Sequence, residues 1–279
     1  MKLGLGTVQF GQAYGVSNRR GQVPRPEAAA ILALAAEAGI PVLDTAANYG
    51  EAESVLAALD IAPFRIVTKT SPVKDGVDAV VARARLSARN LKADTLLVHA
   101  AADLGETALW PALQELKAEG LFRRIGISTY FSDDPAALAD RFRPDVMQLP
   151  FSLLDQRLLR GGALARLKDL GVEVHARSLF LQGLLLMPLE TLPAHLAGAA
   201  PYVRTLHRRL ADAGTTPLAA ALGFVLSRPE VDIGLVGVTG RDELVEILAA
   251  AGRPLPDLDW PACGIDDARI LTPSLWNQP

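Results

Sequence analysis

Residues 41–50 read PVLDTAANYG, a short apolar run that ends in an aspartate and is followed by a tyrosine. The same arrangement, an apolar run with a polar residue at its end, recurs in RIVTKT (65–70) and in TLLVHA (95–100). Short runs of this kind, separated by longer helical patterns, are typical of parallel β-strands joined by helical crossovers. These segments therefore predict an alternating β/α chain with polar residues at the ends of its strands.

Outward from these segments, eight candidate strands alternate with amphipathic helical stretches. Strands are predicted at 3–7, 41–45, 65–69, 95–99, 124–128, 145–149, 172–176 and 232–236. Helices are predicted at 25–38, 51–59, 79–90, 106–119, 135–141, 154–170, 217–227 and 242–251, with an extra helix at 193–213 between strands 7 and 8. Eight units of about 30 residues predict an α/β fold, a closed (β/α)8 TIM barrel.

The whole chain, residues 1–279, is predicted to form a single barrel domain, because no linker rich in Ser, Gly or Pro divides it. From about residue 252 onward, a C-terminal tail punctuated by prolines carries Trp260 and Trp276. A tail of this kind either closes the bottom of the barrel or covers its mouth, and the sequence leaves both open.

The composition argues against several classes of protein. Hydrophobic residues make up 50% of the chain and charged residues 21%, which is typical of a globular protein with a large core. A net charge of −3 gives no reason to expect nucleic acid, and no apolar run reaches the roughly 18 residues of a membrane span. The single cysteine, Cys263, fits a reducing compartment. We therefore expect a cytoplasmic protein that binds neither nucleic acid nor membranes.

Four polar residues, Asp44, Tyr49, Lys69 and His99, end or follow three successive predicted strands. In a parallel barrel the C-terminal ends of the strands form one face, so these side chains would meet in one pocket. Each residue alone has a structural interpretation: a turn-forming aspartate, a packing tyrosine, or a structural histidine. Together they indicate a site that protonates a carbonyl oxygen.

The chemistry of this set is coherent. A phenol in water loses its proton near pH 10, and a nearby ammonium favours the phenolate, which brings proton exchange nearer neutral pH. A buried Lys69 would need Asp44 to stay charged, and His99 could orient the carbonyl oxygen through a hydrogen bond. Tyr49 is therefore the candidate general acid.

Beyond these four residues, several short motifs resemble those of the aldo-keto reductases. The motifs are GLGTVQFG (4–11), LDTAANYG (43–50), VTK (67–69), LLVH (96–99), GIS (126–128) and VMQ (146–148). The resemblance implies an NAD(P)H-dependent oxidoreductase on a barrel, in which hydride passes directly from the nicotinamide to the carbonyl carbon of an aldehyde or ketone. It also implies that Tyr49 delivers the proton, that Asp44 and Lys69 tune it, and that His99 orients the substrate.

The resemblance further implies where the cofactor is bound. Ser128 and Gln148 match positions that hold the nicotinamide carboxamide. Segment 178–183 matches a loop along the pyrophosphate, and segment 237–246 matches a loop and helix start around the adenosine phosphate, where a helix N-terminus favours anions. The implied cofactor-binding residues are Gly6, Thr7, Asp44, Ser128, Thr129, Gln148, Arg177, Ser178, Leu179, Gln182, Gly183, Gly237, Thr239, Arg241 and Glu246.

Three positions depart from the family pattern. Thr129 stands where an asparagine usually follows the serine of GIS. Arg177 stands where an aromatic ring commonly stacks on the nicotinamide; its guanidinium plane could replace the ring, or it could reach an anionic substrate or a cofactor phosphate. In GLVGVTGRDELVEIL (234–248), Arg241 is the only cation beside three carboxylates, which would oppose a 2′-phosphate. NADP(H) is the first expectation and NAD(H) the second.

Other functions stay open at this point. No His or Cys pair has metal-ligand spacing, so no metal is predicted. The same site could work as a sugar or alcohol dehydrogenase, Lys69 could form a Schiff base as in an aldolase, or the barrel could be a non-catalytic nucleotide-binding module. A first loop that contains Gln9, Gln12 and Tyr14 favours a sugar or another polar carbonyl substrate. The physiological substrate, the reaction direction and the oligomeric state are not readable from the sequence.

Overall fold

The computed structural model describes residues 1–276, and its eight parallel strands form a closed barrel in sequence order. The strands are β1 (Leu3–Gly6), β2 (Val42–Asp44), β3 (Arg65–Lys69), β4 (Thr95–Val98), β5 (Arg124–Ser128), β6 (Val146–Pro150), β7 (Glu173–Arg177) and β8 (Ile233–Gly237). The last strand pairs with the first, so that Gly6 lies beside Gly237, and the ring is closed. The predicted TIM barrel is confirmed.

Helices alternate with the strands along the chain, and most of them cover the outside of the barrel. They are α1 (Val8–Gly11), α2 (Arg25–Glu37), α3 (Ala52–Ala57), α4 (Val77–Leu91), α5 (Leu109–Ala118), α6 (Pro135–Phe142), α7 (Arg157–Arg160), α8 (Ala163–Asp169), α9 (Ala200–Asp212), α10 (Pro217–Leu226), α11 (Arg241–Ala251) and α12 (Ala268–Leu271). The extra helix expected between the last two strands is α9, which follows a short 3₁₀ segment at Ala194–Ala199.

The helix predicted over 154–170 was wrong, because this stretch forms two short helices, α7 and α8. They are separated by Gly161 and Gly162, and Gly162 has a φ of +75°, a conformation that glycine tolerates and that ends a right-handed helix. The four-residue helix α1, directly after β1, was not predicted, since so short a stretch has no readable helical period.

Alternate residues of each strand face the inside of the barrel. The middle of the interior is an apolar layer formed by Val42, Val67, Leu97, Val146, Ile233 and Leu235. Two residues beyond Val42 and Val67, the same strands end in Asp44 and Lys69 at the C-terminal face of the barrel. The polar pair therefore lies above an apolar layer that keeps water from reaching it from below.

The opposite end of the interior is closed by charged side chains. Glu173 of β7 forms an ion pair with Arg65 of β3, and its carboxylate lies 2.7 Å from His175 Nε2. Burial alone would raise the pKa of Glu173, but the hydrogen bonds from His175 and Arg65 outweigh burial and hold it well below its usual range. Arg65 and Glu173 are the first residues of their strands, so this ion pair lies at the N-terminal face, which in such barrels serves stability.

The described part of the tail takes neither of the two places that were considered for it. Trp260 contacts Phe224 of α10, and Ile265 donates a backbone hydrogen bond to Leu154, so the tail packs on the outside of the barrel. The Trp276 indole donates to the Ile270 carbonyl and is buried. In the part of the chain that the structure describes, no helix is long and apolar enough to cross a membrane.

Candidate active site

The Lys69 ammonium lies at the centre of the C-terminal face of the barrel and is 1% exposed. Its Nζ donates hydrogen bonds to Asp44 Oδ2 at 2.7 Å, to the Thr45 carbonyl at 3.0 Å and to the Tyr49 hydroxyl at 3.2 Å. An ammonium has three N–H donors, so all of them are used within the chain. Three of the four residues singled out in the sequence are thus joined in one hydrogen-bonded group.

This group keeps its charge. Burial by itself would lower the pKa of the Lys69 ammonium, but the Asp44 carboxylate and the Tyr49 hydroxyl outweigh burial, and the pKa is raised above its ordinary value. The Lys69 Nζ lies 4.8 Å from the centroid of the Tyr49 ring. The ammonium is placed to stabilise negative charge that develops on the Tyr49 oxygen.

The Tyr49 side chain depends on a close contact between two loops. The Gly11 backbone packs directly against the Tyr49 loop, and a Cβ at Gly11 would meet the Tyr49 carbonyl oxygen at 1.7 Å. From the other side, Gly50 has a φ of +53°, and a Cβ there would meet the Gly11 carbonyl oxygen at 2.3 Å. The two glycines let the loops approach closely enough to hold the hydroxyl beside Lys69.

His99 follows β4 and lies against Tyr49, with their ring centroids 5.7 Å apart in an edge-to-face arrangement. Burial, together with the nearby Lys69 ammonium, lowers the pKa of His99 to about 4. The imidazole is therefore neutral at physiological pH and acts as a hydrogen-bonding group without a charge of its own. Its position is held from the backbone, where the His99 N–H donates to the Thr70 hydroxyl at 3.1 Å.

Asp44 links Lys69 and Tyr49 by hydrogen bonds to Gln148 of β6 and to Thr7, which follows β1. While Oδ2 accepts from Lys69, Oδ1 accepts a hydrogen bond from Gln148 Nε2 at 2.6 Å. The Asp44 carbonyl accepts two more, from the backbone N–H and the hydroxyl of Thr7 at 2.9 and 3.0 Å. Gln148 keeps its side-chain oxygen and one amide N–H for another partner, and Ser128 lies beside it in the paired strand β5.

Above these residues a cavity of about 890 Å³ opens at the C-terminal face of the barrel. Its floor contains Asp44, Tyr49, His99, Ser128 and Gln148. One wing extends over β7 and β8 and is lined by Arg177, Ser178, Leu179, Phe180, Gln182, Gly183, Leu186, Leu218, Gly237, Thr239, Glu243, Glu246 and Ile247. The opposite wing extends over β3 to β5 and is lined by Pro72, Ala100, Ala101, Ala102, Asp103, Tyr130 and Asp133.

Most residues of the predicted site line this cavity, but four do not. Thr7 points back to the Asp44 carbonyl, and Lys69 lies beneath the cavity surface behind Asp44 and Tyr49. Thr129 is buried behind Arg177, which donates to its carbonyl at 2.9 Å. Arg241 is exposed at the start of α11, and its backbone N–H donates to Glu27.

Arg177 lies with its guanidinium against the Tyr130 ring, 4.5 Å from the ring centroid. One Nη donates to the Thr129 carbonyl at 2.9 Å and the other lies 3.4 Å from the Ser178 hydroxyl. The guanidinium plane is therefore held in a fixed orientation at the barrel mouth, where it can stack on a ligand ring or face an anionic group.

The loop after β7 has an unusual backbone. Ser178, Leu181 and Gln182 have φ values of +62°, +48° and +54°, and Gly183 follows at +95°. Left-handed conformations of non-glycine residues are costly and concentrate at functional sites. The backbone N–H groups of Leu179, Phe180 and Gln182 donate no hydrogen bond to any of residues 1–276, although all three residues line the cavity. The loop therefore has unpaired backbone donors beside the cavity, which an acceptor-rich ligand could use.

The start of α11 is occupied by the chain's own carboxylates. Glu243 accepts hydrogen bonds from the backbone N–H and from the hydroxyl of Thr239, both at 2.7 Å. Glu27 accepts from the Arg241 N–H at 2.6 Å, and Asp242 forms a two-point ion pair with Arg20 at 2.7 and 2.6 Å.

Several cavity residues were not among the predicted site residues. Asn48 directly precedes Tyr49 in the sequence, which was the available signal for it. Glu243 and Ile247 lie three residues before and one residue after Glu246, and residues i, i+3 and i+4 of a helix share a face. The helical spacing from Glu246 was therefore the available signal for Glu243 and Ile247. Tyr130 lies in the loop after β5, and loops at the ends of the strands were the available signal for its place in the cavity wall.

The residues present fit a nicotinamide cofactor. Gln9 lines the cavity, and its Oε1 is buried without a hydrogen-bond partner among residues 1–276, so a ligand donor would satisfy it. Ser128 and Gln148 offer donors and acceptors on the cavity floor, and the loop after β7 offers backbone donors. In the described part of the chain, no group of three or more His, Cys, Asp or Glu residues is arranged to hold a metal ion.

Known structures share the fold of this chain. The chain is similar over 99% of its length to 94% of the aldo-keto reductase AKR11C1 from Bacillus halodurans in its holo form, with 20% identity and a TM-score of 0.74. It is also similar over 90% of its length to 89% of a Pseudomonas aeruginosa protein assigned to the aldo-keto reductases, with 23% identity and a TM-score of 0.65. At these identities the two structures speak for a shared fold. A search of curated proteins finds no match.

The family itself is identified by sequence. Residues 2–265 match the model of the aldo/keto reductase family, which covers the barrel, α11 and the beginning of the tail. Members of this family carry out NAD(P)H-dependent carbonyl reduction. The chain therefore belongs to the aldo/keto reductase family and is an NAD(P)H-dependent oxidoreductase.

Proposed function

We propose that this protein reduces the carbonyl group of a small polar aldehyde or ketone to an alcohol, with Tyr49 as the general acid. The observation that carries the proposal is the shared Lys69 ammonium, whose Nζ is 2.7 Å from Asp44 Oδ2 and 3.2 Å from the Tyr49 hydroxyl. The ammonium lies where it can stabilise the negative charge that develops on the Tyr49 oxygen as its proton passes to a carbonyl oxygen.

Different side chains of the cavity have different roles in the proposed reaction. Tyr49 and the neutral His99 line the same part of the cavity, so a carbonyl oxygen between them receives a hydrogen bond from His99 and the proton from Tyr49. A bound NAD(P)H supplies the hydride for the carbonyl carbon. Ser128 and Gln148, which line the cavity floor, would hold its carboxamide, and Asp44, fixed by Lys69 and Gln148, would contact the adjoining ribose. Run backwards, the same residues would serve an alcohol dehydrogenase.

The lining of the β3–β5 wing supports a polar substrate. Asp103, Tyr130 and Asp133 offer carboxylate and hydroxyl groups, and Asn48 beside Tyr49 and Gln12 of the first loop add amides. Such groups pair with the hydroxyls of a sugar or polyol better than with a long alkyl chain. Pro72 and the alanines at 100–102 supply only small apolar patches.

The Schiff-base alternative fits the geometry less well. An amine nucleophile must be neutral, but the Lys69 ammonium has a raised pKa and donates to three acceptors. The Schiff-base mechanism also gives Ser128 and Gln148 no role.

The deciding experiment compares the wild type with Tyr49→Phe. We expect oxidation of the reduced cofactor with a panel of aldehydes, ketones and aldoses to fall by at least about 10²-fold in the variant, which is the usual loss on removing a general acid. Cofactor binding, measured by fluorescence, should stay unchanged, because the ring remains. Unchanged turnover in Tyr49→Phe would contradict the proposal, and a covalent adduct trapped by borohydride on Lys69 would favour the aldolase.

A further inference from the structure

We propose that Glu243 and Glu246 make this enzyme selective for NAD(H) over NADP(H). The inference rests on the proposed function, because it assumes that the nicotinamide lies at the Tyr49 end of the cavity. It reverses the order suggested by the family resemblance, in which NADP(H) came first.

The first step assigns the adenosine end of the cofactor to the β7–β8 wing. The nicotinamide must lie above Asp44 and Gln148 to deliver hydride to a carbonyl at Tyr49, so the rest of the cofactor leaves along one of the two wings. In the β7–β8 wing, the backbone N–H groups of Leu179, Phe180 and Gln182 donate to none of residues 1–276, and donors of this kind suit a diphosphate. The opposite wing carries Asp103 and Asp133, whose carboxylates repel a diphosphate.

The second step concerns charge. Beyond the 178–183 loop the wing ends at Thr239, Glu243, Glu246 and Ile247. Glu243 and Glu246 lie on one face of α11 and bring two carboxylates to this end. Among the described residues that line the cavity, the only cation is Arg177, and it is held against Tyr130 at the barrel mouth.

The third step concerns hydrogen-bond donors. A 2′-phosphate at a helix start is normally held by backbone N–H groups and by arginine or lysine. Here the Thr239 N–H and hydroxyl are both taken by Glu243, and the Arg241 N–H is taken by Glu27. Arg20, the other cation at this helix start, is bound at two points by Asp242.

A 2′-phosphate would therefore displace carboxylates from these donors and bring its charge beside Glu243 and Glu246. A 2′-hydroxyl makes the opposite contact, because it is a donor and a carboxylate is its natural acceptor. The same chemistry distinguishes the two cofactors in the dinucleotide folds where an acidic residue accepts from the ribose. The half-buried Glu243 and the exposed Glu246 thus act as specificity-determining residues.

The test titrates wild type, Glu243→Gln and Glu246→Lys with NADH and with NADPH at one fixed ionic strength, following nicotinamide fluorescence. We expect the wild type to bind NADH at least about tenfold more tightly than NADPH. In each variant, the dissociation constant for NADPH divided by that for NADH should fall by about tenfold, mainly through tighter NADPH binding. Glu37→Gln, an exposed residue of α2 outside the cavity, is the matched control and should leave the ratio unchanged.

The outcomes separate the two proposals. Tighter binding of NADPH than of NADH by the wild type, or a ratio that neither variant moves, would overturn the NAD(H) inference and leave the proposed reduction intact. Binding of neither cofactor would overturn the proposed function itself. Because Glu246 is exposed and accepts no hydrogen bond from residues 1–276, Glu246→Lys is expected to fold even if Glu243→Gln loosens the Thr239 turn.

Discussion

Lys69 Nζ lies 3.2 Å from the Tyr49 hydroxyl and is at the same time held by Asp44 at 2.7 Å. The ammonium belongs to β3, and the hydroxyl belongs to the loop after β2, so the contact exists only because neighbouring strands of the barrel end on the same face. This contact couples the stability of the barrel mouth to the proposed proton transfer.

Lys69→Met should lower both turnover and stability. The variant removes the charge beside Tyr49 and leaves the Asp44 carboxylate buried without its partner. Removing one partner of a buried ion pair lowers the free energy of unfolding by about 3–5 kcal/mol. We expect kcat to fall by about 10²-fold or more. Urea denaturation and steady-state kinetics measure the two effects.

The double variant Asp44→Asn/Lys69→Met is the control for this prediction. It removes both charges, so it should recover much of the lost stability while turnover stays low. Equal stability of the single and double variants would contradict the view that the unpaired carboxylate is the source of the loss.

Gly11→Ala should impair turnover from a position that touches no substrate. The new Cβ would meet the Tyr49 carbonyl at 1.7 Å and the Ala52 nitrogen at 2.4 Å, so the Tyr49 loop must move. We expect a stability loss of about 1–3 kcal/mol together with a lower kcat. Gly252→Ala, where nothing lies within 4 Å of the new Cβ, is the control. A variant with normal kcat would show that Tyr49 tolerates the displacement.

The neutral His99 predicts a dependence of stability on pH. Its pKa is lowered to about 4 in the folded protein, against 6.5 for an ordinary histidine, so the unfolded chain takes up a proton first as the pH falls. The contribution of His99 to stability is therefore fully present above pH 6.5 and is lost as the pH falls towards 4, by at most about 3 kcal/mol.

Urea denaturation of wild type and His99→Gln over this pH range isolates the effect, because the other titrating groups cancel in the difference. We expect the wild type to lose stability more steeply than the variant below pH 6.5. Parallel curves would show that His99 titrates normally in the folded protein.

Arg177 should contribute to cofactor binding through its plane rather than its charge. The guanidinium is stacked on Tyr130 and tied to the Thr129 carbonyl, which fixes its orientation at the barrel mouth. We expect Arg177→Met to weaken NADH binding by about tenfold and Arg177→Tyr to stay within about threefold of the wild type. Rescue by Arg177→Lys instead of Arg177→Tyr would assign the contact to charge, and so to an anionic group of the ligand.

Much of the barrel was predictable from local sequence. Strands β3 and β5 have the predicted bounds, because a buried parallel strand is a continuous apolar run with clear polar ends. Where the prediction was wrong, over 154–170, the helical pattern continued across Gly161 and Gly162, and only the left-handed backbone of Gly162 divides it. The position of the tail was equally unreadable, since several surfaces of the barrel can accept a tail with two tryptophans.

The sequence by itself determined the alternation of strands and helices and the residue types at the strand ends, because strand period, apolar runs and turn residues are local properties. It therefore indicated Asp44, Tyr49, Lys69 and His99 as one set. Only the tertiary structure decided which donors are already used. That Lys69 is saturated, that Thr7 and Thr129 are turned away from the cavity, and that Glu243 closes the start of α11 depend on contacts between distant segments or on side-chain orientation, neither of which local patterns encode.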